Sequence, residues 1–97
     1  MLTGKQRRYL RSLANNLKSA IQIGKEGISK NLISEIDQNL TSNEIAKVSV
    51  NDVERIEVRA LAEKLAKDLK AELVQIIGFR LVFFRRNKDK PRIELPK

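Results

Sequence analysis

The 97-residue chain contains no cysteine and no histidine. Without cysteine there is no disulfide framework, no thiolate nucleophile and no thiolate metal site. Without histidine, the side chain best suited to proton transfer near neutral pH and to binding zinc is missing too. Ser-His-Asp and Cys-His arrangements are therefore excluded, and only paired carboxylates or a lysine remain for any chemistry. No apolar run approaches the roughly 20 residues that cross a bilayer. The N-terminal stretch lacks the apolar segment of a secretory signal. It is basic and acid-free, as a mitochondrial transit peptide is, but removing it would strip a well-capped helix from a small core, so a cytoplasmic protein is expected. No internal repeat and no low-complexity segment occurs.

What the chain has is positive charge. Lys and Arg number 20 against 12 Asp and Glu, a formal charge of +8. A domain this basic calls for an anionic partner: nucleic acid, a membrane surface or an acidic protein. The charge is uneven. Residues 1–30 hold seven basic and one acidic side chain, residues 31–70 six and eight, and residues 71–97 seven and three. Two basic ends flank a slightly acidic middle, which suggests that the ends meet on one surface.

Thr3 with Gln6 has the form of a capping box, opening a helix from Gly4 to Leu17. Residues placed at 100° intervals bring Leu2, Tyr9, Leu10, Leu13 and Leu17 to one face and Arg7, Arg11 and Lys18 to the other, with Arg8 beside them. A short strand, Ala20–Ile23, leads into Gly24-Lys25-Glu26-Gly27. Ile28, Leu32, Ile33, Ile36 and Leu40 then recur at helical spacing, ended by Thr41-Ser42-Asn43. Ile45–Val50 reads as a strand rich in β-branched residues. Asn51 and Asp52 are suited to cap a third helix over Val53–Lys70, with Val58, Leu61, Ala62, Leu65 and Leu69 as its buried stripe. Leu73–Ile77 and Arg80–Arg85 form a closing hairpin, with Gly78-Phe79 as a type II′ turn. The order α-β-α-β-α-β-β predicts an α/β domain, a mixed four-stranded sheet with helices, over residues 1–86. Residues 87–97, with two prolines and alternating charge, are expected to be a flexible extension.

The informative motif is Gly24-Lys25-Glu26-Gly27. Glycines let the backbone turn sharply and approach a ligand closely. The first amides of a helix are free donors in a field that favours negative charge. A G-x-x-G turn at a strand–helix junction can thus hold a nucleic-acid backbone, as the loop of KH domains does. Lys25 adds a cation at its tip. A Walker A loop is excluded by the spacing. Arg7, Arg8, Arg11 and Lys18, together with Lys5 and Lys30, extend the cationic surface from either side of the loop, and Arg80, Arg85 and Arg86 extend it from the hairpin.

Taken together, Leu2-Thr3-Gly4-Lys5-Gln6-Arg7-Arg8-Tyr9-Leu10-Arg11, Gln22-Ile23-Gly24-Lys25-Glu26-Gly27 and Val74-Gln75-Ile76-Ile77-Gly78 closely resemble the CRM family, named for chloroplast RNA splicing and ribosome maturation. The resemblance covers residues 2–86. It implies a fold similar to the C-terminal domain of translation initiation factor three, and RNA binding through Gly24, Lys25, Glu26, Gly27 and neighbouring basic residues. For stand-alone bacterial members it implies association with precursors of the large (50S) ribosomal subunit; plant relatives with several such domains assist group II intron splicing.

Other readings compete at single residues. Tyr9, Phe79, Phe83 and Phe84 are candidate stacking platforms for bases. Phe83 and Phe84 are adjacent in a strand and so point to opposite faces, one of them into the core; Phe79 at the turn is the better exposed candidate. Glu54, Glu57 and Glu63 pair naturally with Arg55, Arg59, Lys64 and Lys67 as a solvated helix face, and nothing in the sequence assembles them into a catalytic pair. The expectation is a monomer that binds structured RNA, with no catalytic residues, metal, cofactor, membrane or small-molecule substrate. The alternative is an adaptor whose basic surface meets acidic proteins in a larger ribonucleoprotein.

Overall fold

A computed structural model describes residues 2–19, 21–24, 28–51 and 55–97. Its elements are α1 (Gly4–Asn15), β1 (Ile21–Ile23), α2 (Lys30–Asn43), β2 (Ile45–Val50), α3 (Arg55–Leu69), β3 (Glu72–Ile77) and β4 (Arg80–Phe84). The expected order holds. Thr3 and Gln6 form the reciprocal capping box, with Gln6 N donating to Thr3 Oγ1 at 3.1 Å and Thr3 N to Gln6 Oε1 at 3.0 Å. Several boundaries differ from expectation, among them the ends of the first two helices. The first helix stops at Asn15. The second runs on through Thr41-Ser42-Asn43 and ends only at Glu44, which adopts a left-handed φ of 65°.

The sheet has the order β1-β2-β4-β3. β1 and β2 are parallel, whereas β4 is antiparallel to both its neighbours. The last strand is thus inserted between β2 and β3. At the hairpin, Gly78 has a φ of +56°, the sign that the first position of a type II′ turn demands.

Helices pack on both faces of the sheet, unequally. On one, α2 and α3 bury Ile36, Leu40, Val58, Ala62, Leu65 and Leu69 against Ile21, Ile23, Ala46, Val48, Val50, Leu81 and Phe83. The other carries a smaller core in which Leu10 and Ala14 of α1 meet Ile45, Val74, Val82 and Phe84. Phe83 and Phe84 are therefore both buried, on opposite faces, each contributing roughly 1.5–3 kcal/mol of burial. Phe84 is no stacking platform.

Residues 87–97 run against the domain. They form no helix or strand, yet Ile93 and Leu95 pack onto the α1 core, and Gln6 Nε2 donates to the Pro96 carbonyl at 3.1 Å. Their anchor is Glu44, a fully buried carboxylate. It accepts the main-chain N–H groups of Asn87 (2.7 Å), Arg92 (2.5 Å) and Ile93 (2.7 Å), with Arg86 Nη1 at 3.4 Å. Burial pushes its pKa up, but these N–H donors and the Arg86 guanidinium outweigh that and hold it below the ordinary carboxylate value. A left-handed non-glycine costs on the order of 1–3 kcal/mol. Each hydrogen bond to a charged group returns about 1.5–3 kcal/mol, so the strained position is stabilised overall.

Candidate functional site

The cationic residues sort into two classes. Lys5, Arg8 and Arg11 on α1, Lys18 just beyond it, Lys30 at the start of α2 and Arg80 on β4 are exposed. None of these six makes a side-chain hydrogen bond or ion pair with another described residue. Arg7 and Arg85, by contrast, are tied into the fold. Arg7 donates to the Leu73 carbonyl at 2.8 Å and pairs with Glu72 at 3.4 Å. Arg85 Nη1 reaches Asp37 Oδ1 and the Leu69 carbonyl, both at 2.8 Å, while Nη2 reaches the Asp37 carbonyl and Thr41 Oγ1. It joins α2, α3 and the end of β4.

Arg7 departs from the expected free face because α1 is turned relative to its apolar stripe. The residues it buries are Leu10 and Ala14, whereas Tyr9 and Leu17 are each 38% exposed. Arg7, Leu10 and Ala14 fall at i, i+3 and i+7, one side of a helix. Arg7 therefore lies along the edge of the buried side, where β3 offers a carbonyl and a carboxylate.

Gly24 follows β1 directly and is exposed. Lys25, Glu26 and Gly27 lie outside the described residues. A Cβ added at Gly24 would meet nothing within 4 Å, and its φ is not in the left-handed region. Packing and backbone conformation would accept another residue there, unlike Gly78 with its positive φ. What glycine uniquely supplies at 24 is unobstructed approach to the main chain. The loop does not run straight into the helix: Ser29 caps α2, its Oγ accepting from Leu32 N at 3.1 Å.

The end of the sheet carrying Gly24 also carries Asn51 and the hairpin turn. Asn51 N donates to the Ile23 carbonyl and Val50 N to the Phe79 carbonyl, both at 2.7 Å. Phe79 at the tip is 43% exposed, as its turn position suggests. Arg80 and Asn15 border one cleft, so β4 and the end of α1 share one side of the sheet. Lys30 belongs to the opposite layer, across the loop from Gly24.

The acids of α3 behave as a solvated face, with Arg59 and Glu63 paired at 3.2 Å across one turn, both largely exposed; Glu54 lies outside the described residues. Among the described residues, no group of three metal-binding side chains converges. No helix there is long and apolar enough to cross a membrane.

Residues 2–85 match the family model of the CRS1 / YhbY (CRM) domain. The probable RNA-binding protein YqeI of Bacillus subtilis is 42% identical over 96 residues, spanning 99% of this chain and 100% of that one. An RNA-binding protein of Haemophilus influenzae is 30% identical over 96 residues, spanning 99% and 96%. The solution structure of SAV1595 from Staphylococcus aureus, a candidate RNA-binding protein, superposes with a TM-score of 0.84 at 48% identity, covering 99% of this chain and 100% of that one. With both its sequence and its overall fold in agreement, this chain belongs to the CRM domain family.

Proposed function

We propose that this protein binds structured RNA, specifically ribosomal RNA in precursors of the large (50S) ribosomal subunit, and acts there as an assembly factor without catalysis of its own. The observation that carries the RNA reading is the set of exposed cations on α1 and β4 in a chain whose relatives are named RNA-binding proteins. Arg8, Arg11, Lys18 and Arg80 neutralise phosphates on one side of the sheet, and Lys30 does so from the far side of the loop. Gly24 to Gly27 bring main-chain amides to a phosphate, and Lys25 adds charge. Such contacts fix register on an RNA but carry little base information. The resemblance to stand-alone bacterial members of the CRM family supports the ribosomal assignment. The protein works as a monomer in the cytoplasm.

Crosslinking RNA to the protein in cells and sequencing it tests the assignment. Crosslinks should concentrate in large-subunit ribosomal RNA, and the protein should co-sediment with pre-50S particles. Crosslinks scattered over unrelated transcripts would remove the ribosomal part. Purified protein incubated with RNA and magnesium should leave the RNA intact.

A further inference from the structure

Helix α1 is too short to cover its face of the sheet. Ser49 on β2 pairs with Gln22 on β1 and with Arg80 on β4, which pairs in turn with Ile77 on β3. Directly paired residues project on the same side, so these four form one cross-strand row. The neighbouring row is Lys47, Val82 and Gln75. Between these rows and the last turn of α1, at Ala14 and Asn15, lies a cleft of about 150 Å³.

Its composition is specific. Ile77, 53% exposed, supplies apolar surface over a floor of the buried Val82. Asn15 and Gln75 supply amides, neither of which makes a side-chain hydrogen bond with a described residue. Lys47 and Arg80 supply the charge, and no carboxylate among the described residues lines the cleft. Lys47 is held in place: its ammonium donates to the carbonyls of Ala14 (3.1 Å) and Leu17 (3.2 Å), closing the end of α1. Arg80 is left to reach outward.

A β-bulge builds this lining. The β3–β4 register passes from Leu73 opposite Phe83 to Gln75 opposite Val82, leaving Val74 as an extra residue. Regular alternation would put Gln75 and Ile77 on the side of Leu73, in the α2–α3 core. The bulge instead places both beside Val82 and turns Ile76 inward. Re-aiming side chains beside a site is a recurrent use of bulges.

We infer that the cleft between the end of α1 and the open part of the sheet is a recognition subsite for a single unpaired nucleobase. The inference rests on the RNA reading above and adds base recognition to it. The volume lies below the roughly 300–1,000 Å³ of typical small-molecule sites, and suits one planar ring rather than a whole ligand. Val82 and Ile77 take the ring, the amides of Asn15 and Gln75 offer paired donors and acceptors to its edge, and Arg80 meets the attached phosphate. Unpaired bases are the part of RNA that proteins read in this way, and amide side chains match base edges in two-bonded fashion.

The test measures affinity for two RNAs of equal length and charge, a hairpin with an unpaired loop and a fully paired duplex. Wild-type protein should prefer the hairpin. Gln75→Ala and Asn15→Ala should each weaken hairpin binding about tenfold and leave duplex binding unchanged, with melting curves confirming the fold. In spectra of the wild type, the Gln75 side-chain amide signal should move on adding nucleoside monophosphates and not on adding inorganic phosphate. Wild-type protein that binds neither RNA would overturn the RNA reading itself. Binding to both RNAs that Gln75→Ala does not change would overturn the subsite alone. So would self-association, or capture of an acidic peptide, that Ile77→Ser abolishes while hairpin binding persists.

Discussion

Arg7 donates to the carbonyl of Leu73, the residue that immediately precedes the extra residue of the β3 bulge. One guanidinium therefore ties the first helix of the chain to the point where the sheet breaks its alternation.

Replacing Arg7 with alanine removes that hydrogen bond and the pairing with Glu72. The expected loss is about 1–2 kcal/mol, or a fall in Tm of roughly 4–16 °C for a domain of this size. Arg7→Lys should recover little, because an ammonium cannot reproduce the two-pronged geometry. Thermal unfolding followed by circular dichroism checks both. A wild-type Tm for Arg7→Ala would return this residue to the free surface.

Arg85 and Arg11 are both arginines in basic segments, yet they should respond oppositely. Arg85→Ala breaks contacts to α2 and α3 and should cost about 2–3 kcal/mol. Arg8→Ala combined with Arg11→Ala should leave Tm nearly unchanged, while reducing the salt dependence of RNA binding by about 1.5 units in log K against log salt. Salt titrations and melts on the same samples separate the two.

At position 24 the expectation is a folded protein with a damaged surface. Gly24→Asp meets no steric obstacle, so stability should stay within about 0.5 kcal/mol of wild type. Affinity for structured RNA should fall by tenfold or more, because a carboxylate then faces the phosphate. Gly78→Asp at a positive φ should instead destabilise the hairpin. RNA affinity of folded Gly24→Asp equal to wild type would reduce the loop to a plain turn.

Acid should release the tail before it unfolds the domain. The carboxyl of Glu44 is held below its ordinary value, so its contribution is complete above the unfolded pKa of about 4.3. It is lost as pH falls through the lower folded value. The protection factors of the Arg92 and Ile93 amides, relative to intrinsic exchange at each pH, should fall over that acidic interval. Glu44→Gln should produce the lower protection already at neutral pH. Protection of those amides at neutral pH in Glu44→Gln would show that Ile93 and Leu95 hold the tail unaided.

The order of elements and the stripes of α2 and α3 were readable from sequence because local periodicity and burial coincide there. Val58, Ala62, Leu65 and Leu69 have one large face to pack against. The rotation of α1 was not readable, since it depends on distant partners: Phe84, Val74, Ile93 and Leu95 draw Leu10 and Ala14 inward and leave Tyr9 outside. The Val74 bulge is hidden for a similar reason, because Leu73–Ile77 is apolar on both sides of Gln75 and shows no alternation to interrupt. Glu44 gave one signal that could have been used: an acid directly between a helical stripe and a β-branched strand. Of the cations, Lys5, Arg8, Arg11, Lys18, Lys30 and Arg80 lie where an open surface was expected; nothing local distinguishes Arg85 from them.

The position of β4 also sets a timetable. Among the described strands β3 pairs with β4 alone, and β2 reaches β3 only through it. As the chain leaves the ribosome, residues up to Ile77 can form a parallel β1–β2 pair with helices, but not a closed sheet. Closure waits for Phe84, and the α1 side waits further for Ile93 and Leu95. Contacts so distant in sequence slow folding. Residues 80–95 therefore govern when the sheet and the α1 core are first complete.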